Sequence, residues 1–317
     1  MKILITGGSG FIGTRVVEKL LSDGHDVKIY DIQKSVKYPE LTVEADVRDG
    51  ERLVEECEGI DIIYNLAAEH ADDVKPLSLY AQTNIGGAEN IVNAARKCDI
   101  KRVVFTSSVA VYGLNRGTPD EKCEPRPFNE YGRTKYEAEK IFESWANEDT
   151  ERSLTIVRPS VIFGEGNRGN VYNLIRQIKE GKFLMIGDGK NRKSMGYVEN
   201  IAEFLSSLTE ADRGCEIYNF AGKPDLSSRE IVDIIYDTLG MKRPLLHIPY
   251  PIGVAGGYLF DFLSTVSGKN FPISSIRIKK FTAETTIDTK KLHSSGFESP
   301  YSLEEGLRRM ITHDFLK

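Results

Sequence analysis

The sequence predicts an α/β protein with a doubly wound parallel sheet and a smaller carboxyl-terminal domain. Three features of the 317 residues lead to this prediction: apolar runs alternate with amphipathic stretches, a glycine-rich turn follows the first run, and the alternation loosens after Pro159. Apolar strands that alternate with helices are typical of a parallel sheet covered on both faces.

The elements of the first half follow from hydrophobic periodicity. Strands are predicted in the runs KILIT, DVKIYD, DIIYNLAA, KRVVFTSS and LTIVRPS. Helices are predicted in FIGTRVVEKLLSDG, where Gly24 ends the helix, in ERLVEECEG, in a stretch that ends near Lys97, and from Asn129 to Ala146.

The second half has a looser pattern. GEGNRGN indicates a loop, VYNLIRQIKEG and SSREIVDIIYDTLG indicate helices, and CEIYNFAG indicates a strand. We therefore expect a first domain over residues 1–163 and a second, smaller domain mainly over residues 164–317. Strands near residues 195–222 are expected to return to the first domain.

Charge, cysteine content and hydropathy exclude several classes of function. A formal net charge of -5 argues against nucleic acid as a partner, because phosphate neutralisation needs a basic surface. The four cysteines are scattered and lack histidines at ligand spacing, so no metal site is predicted. A strand is predicted from the second residue of MKILITGGSG, so no signal peptide is expected. No uninterrupted apolar run reaches about 20 residues, the length that a membrane-spanning helix needs. We expect a location in the cytoplasm or at the inner face of the cell membrane.

A glycine-rich turn predicts a dinucleotide site. Gly7, Gly10 and Gly13 lie between a strand and a helix, where glycines let the backbone approach a pyrophosphate at the helix N-terminus. Asp31 ends the second strand, where a carboxylate accepts the ribose hydroxyls and favours NAD over NADP; the alternative is an ordinary turn aspartate. Asp46 is predicted either to contact the adenine or to cap a helix.

A tyrosine and a lysine four residues apart predict a site for oxidising an alcohol. The tyrosine can act as base if a nearby cation lowers its pKa, and this spacing puts both groups on one helix face. Tyr131 and Lys135 follow a strand that ends in Ser107 and Ser108, at the sheet edge where such folds bind ligands. Ser108 can then hydrogen-bond the substrate oxygen from which the tyrosine removes the proton. Two other pairs have the same spacing but are less well placed: Tyr30 with Lys34, and Tyr136 with Lys140.

Together these motifs resemble the extended short-chain dehydrogenase/reductase family, in its sugar epimerase/dehydratase branch. TGGSGFIG, NLAA, TNIGGAENIVNAA, SSVAVYG, YGRTK and RPSVIFG occur in the family's order along the whole chain. The resemblance implies a Rossmann domain that binds NAD and a substrate domain, with Tyr131 as base, Lys135 on the nicotinamide ribose and Ser108 on the reacting oxygen. The expected cofactor-binding set is Gly7, Gly10, Phe11, Ile12, Gly13, Asp31, Asp46, Val47, Leu66, Ala67, Ala68, Asn84, Ser107, Tyr131 and Lys135.

Departures from the family pattern narrow the expected chemistry. Val109 and Ala110 stand where 4,6-dehydratases of the family carry acids, so dehydration is not expected. What remains is 4-epimerisation, or simple dehydrogenation or reduction of a sugar or steroid. Lys193 and Ser194 stand where the family carries Arg-Asp. After the sixth strand the family usually has the sequence R-P-x-N, whereas here Val161 follows RPS in the asparagine position.

Longer sequence segments resemble a group of enzymes within this family that act on lipid-linked sugars. LAAEHADDVKPLSLY, FTSSVAVYGLN and KSMGYVENI look like those of bacterial 4-epimerases whose N-acetylglucosamine is carried on undecaprenyl diphosphate in O-antigen assembly. A UDP-linked sugar is the alternative. Other expected partners are a second copy of the chain and the membrane surface. The apolar segment from Leu245 to Gly268 would contact the membrane; the alternative is that this segment packs within the smaller domain. Expected ligands of the substrate are Ser108, Arg168, Asn170, Arg192 and Lys193.

Overall fold

Two compact units make up the chain. The computed structural model describes residues 1–71, 74–210, 213–243, 247–267 and 275–316. Three segments form the first unit: Met1–Ile162, Val198–Ala221 and Ile287–Pro300. Three others form the second unit: Phe163–Tyr197, Gly222–Thr286 and Tyr301–Lys317.

A seven-stranded parallel sheet organises the first unit. Its strand order is β10-β6-β5-β4-β1-β2-β3. The strands of the chain are β1 (Lys2–Thr6), β2 (Asp26–Asp31), β3 (Thr42–Glu44), β4 (Ile62–Asn65), β5 (Arg102–Thr106), β6 (Ser153–Pro159), β7 (Val161–Phe163), β8 (Met185–Ile186), β9 (Arg192–Tyr197), β10 (Gly214–Phe220), β11 (Gly222–Ser227) and β12 (His247–Ile248).

The helices confirm most of the predicted pattern. The one predicted from Asn129 runs over Glu130–Ala146, with the Asn129 side chain as its N-cap. The α-helices are α1 (Phe11–Ser22), α2 (Gly50–Glu56), α3 (Ser78–Tyr80), α4 (Gly87–Lys97), α5 (Glu130–Ala146), α6 (Asn170–Lys179), α7 (Val198–Ser206), α8 (Ser228–Leu239), α9 (Tyr250–Ser267), α10 (Ser275–Thr282), α11 (Lys290–Ser294) and α12 (Leu303–Ile311).

Both faces of the large sheet are buried. Along β1, Leu4 belongs to the apolar cluster on one face, while Ile3 and Ile5 belong to the cluster on the other. Helices α4 and α5 cover the first face with residues such as Phe142, and α1 and α7 cover the second with residues such as Ile201. This two-sided burial explains why the strands are apolar throughout, and it confirms the predicted fold class.

The second unit has smaller sheets. One has the strand order β11-β9-β7 and the other pairs β12 with β8. Helices α8 and α12 begin with complete capping boxes, Ser227 with Glu230 and Ser302 with Glu305. Each box satisfies backbone N–H groups that a helix start leaves unpaired. Within the described ranges, no helix combines the length and the apolar character that a bilayer crossing requires.

Candidate active site

The glycine-rich turn between β1 and α1 leaves no room for side chains at two of its positions. A Cβ atom on Gly7 would lie 2.6 Å from the backbone nitrogen of Ala67, and φ at Gly7 is +75°. A Cβ atom on Gly13 would lie 2.2 Å from the carbonyl oxygen of Gly7. The segment Leu66 to Ala68, which follows β4, therefore passes directly against the turn. The buried Ser9 hydroxyl has no hydrogen-bond partner among the described residues, so a polar ligand could satisfy it.

We expect Gly13→Ala to destabilise the protein, because the added methyl group must displace backbone rather than a side chain. The free energy of unfolding should fall by about 1–3 kcal/mol, the usual cost of overpacking. Thermal unfolding of the variant and of Gly256→Ala provides the measurement. Gly256 lies in α9 with open space around its Cβ position, so alanine should be neutral or stabilising there. Equal melting temperatures for both variants would contradict the close approach.

Asp31 lies at the end of β2 in contact with the glycine-rich turn. Its carboxylate accepts hydrogen bonds from the backbone N–H groups of Ser9 and Gln33, both at 3.0 Å. Asp46 is paired with Arg48, which lowers the pKa of the Asp46 carboxyl. The helix-capping alternative for Asp46 is wrong, because Asp49 caps α2. The acid at the end of β2 thus lies beside the turn.

Two more predicted cofactor residues help to shape this region. Val47 is buried and lies 3.0 Å from where a Cβ atom of Gly87 would be. Asn84 is buried in a π-helical turn over Ala81–Gly86. Its side chain accepts from Glu69 N–H at 2.8 Å and donates to the Thr134 hydroxyl at 3.0 Å. Asn84 therefore ties the chain after β4 to α5.

Helix α5 begins directly against the turn that follows β5. A Cβ atom on Gly132 would lie 2.6 Å from the carbonyl oxygen of Ala110, so glycine permits this approach. The neighbouring Tyr131 lies close enough to Ser108 for the serine hydroxyl to act on the pKa of the tyrosine. The Ser107 hydroxyl is buried without a partner among the described residues. The two residues whose hydroxyls are predicted to act on one substrate oxygen are thus neighbours.

Burial dominates the titration of the tyrosine and the lysine. It raises the pKa of Tyr131, and the Ser108 hydroxyl acts in the opposite direction. Burial lowers the pKa of Lys135 to about 7, although the Glu139 carboxylate opposes that shift. The expected lowering of the Tyr131 pKa by Lys135 is therefore absent. The ammonium lies 4.2 Å from the centre of the Phe105 ring, and near neutral pH it keeps only part of its charge.

We expect Lys135→Met to stabilise the protein at neutral pH. A base whose folded pKa is lowered costs stability most below about pH 7, and the cost disappears as pH rises toward 10.5, the ordinary pKa of a lysine side chain. The gain should be a few kcal/mol at pH 7 and smaller near pH 10. Unfolding midpoints at both pH values measure it, with the exposed Lys140→Met as control. A gain that does not change with pH would rule out this explanation.

A buried ion pair lies one helical turn beyond Lys135. Glu139 accepts two hydrogen bonds from the guanidinium of Arg158 on β6, at 2.9 and 2.7 Å. Arg158 also donates to the Tyr112 hydroxyl at 2.9 Å, and Tyr112 donates to Asn219 at 2.7 Å. These residues were not predicted. Their only sequence signal is the position of Glu139 four residues after Lys135.

The predicted substrate cations lie in the second unit, and most already have anionic or carbonyl partners. Arg168 pairs with Asp314 at 3.1 Å and stacks on the ring of Tyr172. Arg192 donates to the carbonyl oxygen of Asp225 at 2.6 Å. Asn170 is exposed at the start of α6. These contacts position the side chains without fixing what they bind.

Lys193 is the least exposed to water of these cations. Burial lowers its pKa to about 8, and its ammonium donates to a backbone carbonyl. The adjacent Ser194 hydroxyl donates to the Asp225 carboxylate at 2.6 Å, and Lys223 pairs with the same carboxylate at 2.7 Å. A carboxylate from β11 thus lies beside the serine that replaces the family's aspartate. Sequence reasoning missed Asp225 and Lys223.

Comparisons with known proteins agree with this geometry. The NAD dependent epimerase/dehydratase family matches residues 3–265. The N-acetyl-alpha-D-glucosaminyl-diphospho-ditrans,octacis-undecaprenol 4-epimerase of Escherichia coli O157:H7 is 49% identical over 316 residues, which are 99% of this chain and 95% of that protein. A UDP-glucose 4-epimerase of Vibrio cholerae is 25% identical over 97% of this chain and 93% of its own length.

A solved structure shares the fold. The UDP-glucose 4-epimerase of Thermotoga maritima, crystallised with UDP-glucose, superposes with a TM-score of 0.79. The two sequences are 23% identical, and the alignment covers 99% of this chain and 98% of that one. The resemblance predicted from the motifs is confirmed along nearly the whole length. The chain belongs to the NAD dependent epimerase/dehydratase family.

Proposed function

We propose that the chain is an NAD-dependent 4-epimerase that interconverts N-acetylglucosamine and N-acetylgalactosamine on undecaprenyl diphosphate, in surface-glycan assembly. The proximity of Tyr131 to Ser108, with Lys135 one turn further along α5, is the observation that carries the proposal. The 49% identical relative bears the name of that activity. The substrate is then a sugar diphosphate with a lipid carrier.

In this proposal Tyr131 exchanges a proton with the C4 oxygen of the sugar. Ser108, which lies next to Tyr131, holds the same oxygen and keeps the proton path short. Lys135 binds the ribose next to the nicotinamide. Burial keeps water away from these groups, which strengthens their electrostatic interactions.

A bound NAD would supply reversible hydride transfer at C4 of the sugar. The glycine-rich turn and the unpaired Ser9 hydroxyl fit a pyrophosphate, and Asp31 fits the adenosine ribose. The remaining proposed contacts are Gly10, Phe11, Ile12, Asp46, Val47, Leu66, Ala67, Ala68, Asn84 and Ser107.

The 4-keto sugar must turn over between the two halves of the reaction, so the enzyme has to hold the diphosphate firmly and the sugar loosely. We assign the diphosphate to Lys193, with Arg168, Asn170 and Arg192 as further contacts. A lysine offers a compact charge where arginine would offer two parallel hydrogen bonds. The proposal includes a first, cofactor-binding domain over residues 1–163, to which strands near residues 195–222 return, and a mainly substrate-binding domain over residues 164–317. It also includes peripheral membrane contact and a homodimer.

The test presents one sugar on two carriers. Purified enzyme is incubated with undecaprenyl diphosphate N-acetylglucosamine in detergent and, separately, with UDP-N-acetylglucosamine, and the released sugars are identified. We expect N-acetylgalactosamine from the lipid carrier alone. Conversion of the UDP sugar only would replace the proposal with a soluble nucleotide-sugar epimerase. Stoichiometric consumption of added NAD would indicate a dehydrogenase, because epimerisation causes no net oxidation.

A further inference from the structure

Helix α9 has an outward face without any charged residue. In its 18 residues, Asp261 is the single residue with a formal charge. Surface helices of globular proteins normally direct charged residues to water, and helices that are apolar all round are usually buried. The outward side chains of α9 are nevertheless exposed: Ile252 by 63%, Tyr258 by 54% and Leu259 by 58%.

The opposite face of α9 is already packed. A Cβ atom on Gly253 would lie 2.4 Å from the side chain of Ile186, and one on Gly257 would lie 2.8 Å from Ser275. Asp261 accepts a hydrogen bond from the Ser275 N–H at 3.2 Å. The inward face therefore packs against β8 and α10 through its glycines. The apolar outward face takes no part in that packing.

The residues of the outward face recur at helical spacing. Ile252, Ala255 and Leu259 follow one another at intervals of three and four, which places them on one stripe. Pro251 and Tyr258 lie on the same exposed side, and Tyr250 is exposed at the helix start. Aromatic rings with a polar tip, such as Tyr250 and Tyr258, are favoured where an apolar phase meets water.

Helix α10 brings positive charge to the edge of this stripe. Its sequence, SIRIKKFT, contains three cations and no acid. Lys279 is exposed and donates to the Tyr258 hydroxyl at 2.7 Å, with its ammonium 5.0 Å from the centre of that ring. An apolar helix face bordered by cations is the arrangement that binds in the interface of an anionic membrane.

We infer that the outward face of α9, together with Lys279 of α10, docks the enzyme on anionic phospholipid. The inference deepens the proposed function, because a prenyl-linked substrate lies in a membrane. A second copy of the chain fits this face less well. A two-fold interface centred on α9 would bring the Lys279 ammonium groups of both copies close together. The chain carries a net charge of -5, so attraction to anionic lipid has to be local.

Vesicle flotation tests the inference with the full-length protein. Vesicles of phosphatidylcholine, with and without phosphatidylglycerol, contain no sugar lipid, so binding is measured independently of epimerase activity. We expect binding that requires phosphatidylglycerol and weakens with salt. Lys279→Glu should weaken it about twentyfold, since two charge units change near the surface. The double variant Ile252→Glu with Leu259→Glu should abolish it.

Val36→Glu is the matched control, because Val36 is a fully exposed apolar residue of the first unit. Its binding should equal that of the wild type, and all variants should keep the wild-type melting temperature. Failure of the wild type to bind vesicles, or equal binding by all variants, would overturn the inference. Dissociation of a dimer by the α9 variants would instead identify a protein interface. Epimerisation in detergent without vesicle binding would leave the proposed function intact and remove the docking surface alone.

Discussion

Replacing Tyr131 with phenylalanine is expected to reduce the epimerisation rate about a thousandfold, within the range that general acid–base catalysis contributes. The change removes one hydroxyl and keeps the ring, so α5 and its start against the turn after β5 should persist. The Ser108 hydroxyl should keep its hydrogen bond from the Ala110 N–H and remain the N-cap of the short helical turn over Val109–Tyr112. NAD binding and the melting temperature should therefore stay near the wild-type values.

The matched control is Tyr136→Phe. Tyr136 lies on the same helix and is also followed by a lysine four residues later, with the Lys140 ammonium 5.0 Å from the centre of its ring. It is turned about 140° away from Tyr131 around the helix axis. Its loss should leave turnover unchanged. Wild-type turnover by Tyr131→Phe, or an equal loss in both variants, would show that Tyr131 is not the base.

Replacing Arg158 with leucine is expected to lower the free energy of unfolding by about 3–5 kcal/mol. The substitution leaves the Glu139 carboxylate in the interior without its guanidinium partner, where both side chains are almost completely shielded from water. Chemical denaturation followed by circular dichroism gives the change. The double replacement of Arg158 and Glu139 by leucine should recover most of the loss, because no unpaired charge then remains.

The comparison variant is Arg126→Leu, which breaks an ion pair of the same chemistry in water. Arg126 and Glu124 are each about two-thirds exposed, and such pairs contribute under about 1 kcal/mol. The contrast between the two variants separates the effect of burial from that of the ion pair. Similar losses in both would contradict the importance that we assign to burial.

The elements that could be predicted are those encoded in local patterns. The glycine-rich turn, the apolar strands and the capped start of α5 at Asn129 depend on neighbouring residues, and the structure has them where the periodicity places them. From the sequence, Asp46 is a possible N-cap, whereas in the structure Asp49 caps α2. The error is small, because an aspartate at either position satisfies the residue preference for an N-cap.

Contacts between distant segments could not be predicted. Asp225 reaches Ser194 because β11 pairs antiparallel with β9 through an irregular register, which the hydrophobic pattern of either strand does not specify. Glu139 meets Arg158 because a helix packs on a strand. The pKa of Tyr131 depends on how deeply its hydroxyl is buried, whereas the spacing to Lys135 indicated only a nearby charge.

The discontinuous course of the first unit has a consequence for synthesis on the ribosome. The chain leaves this unit after residue 162, returns for α7 and β10, and leaves again before it returns for α11. A nascent chain that has reached residue 162 presents β6 as an open sheet edge with no strand to cover it. At about 5–20 residues per second, translation through the end of β10 at residue 220, which covers that edge, takes roughly three to twelve seconds more. During that interval the exposed edge is a natural substrate for chaperones.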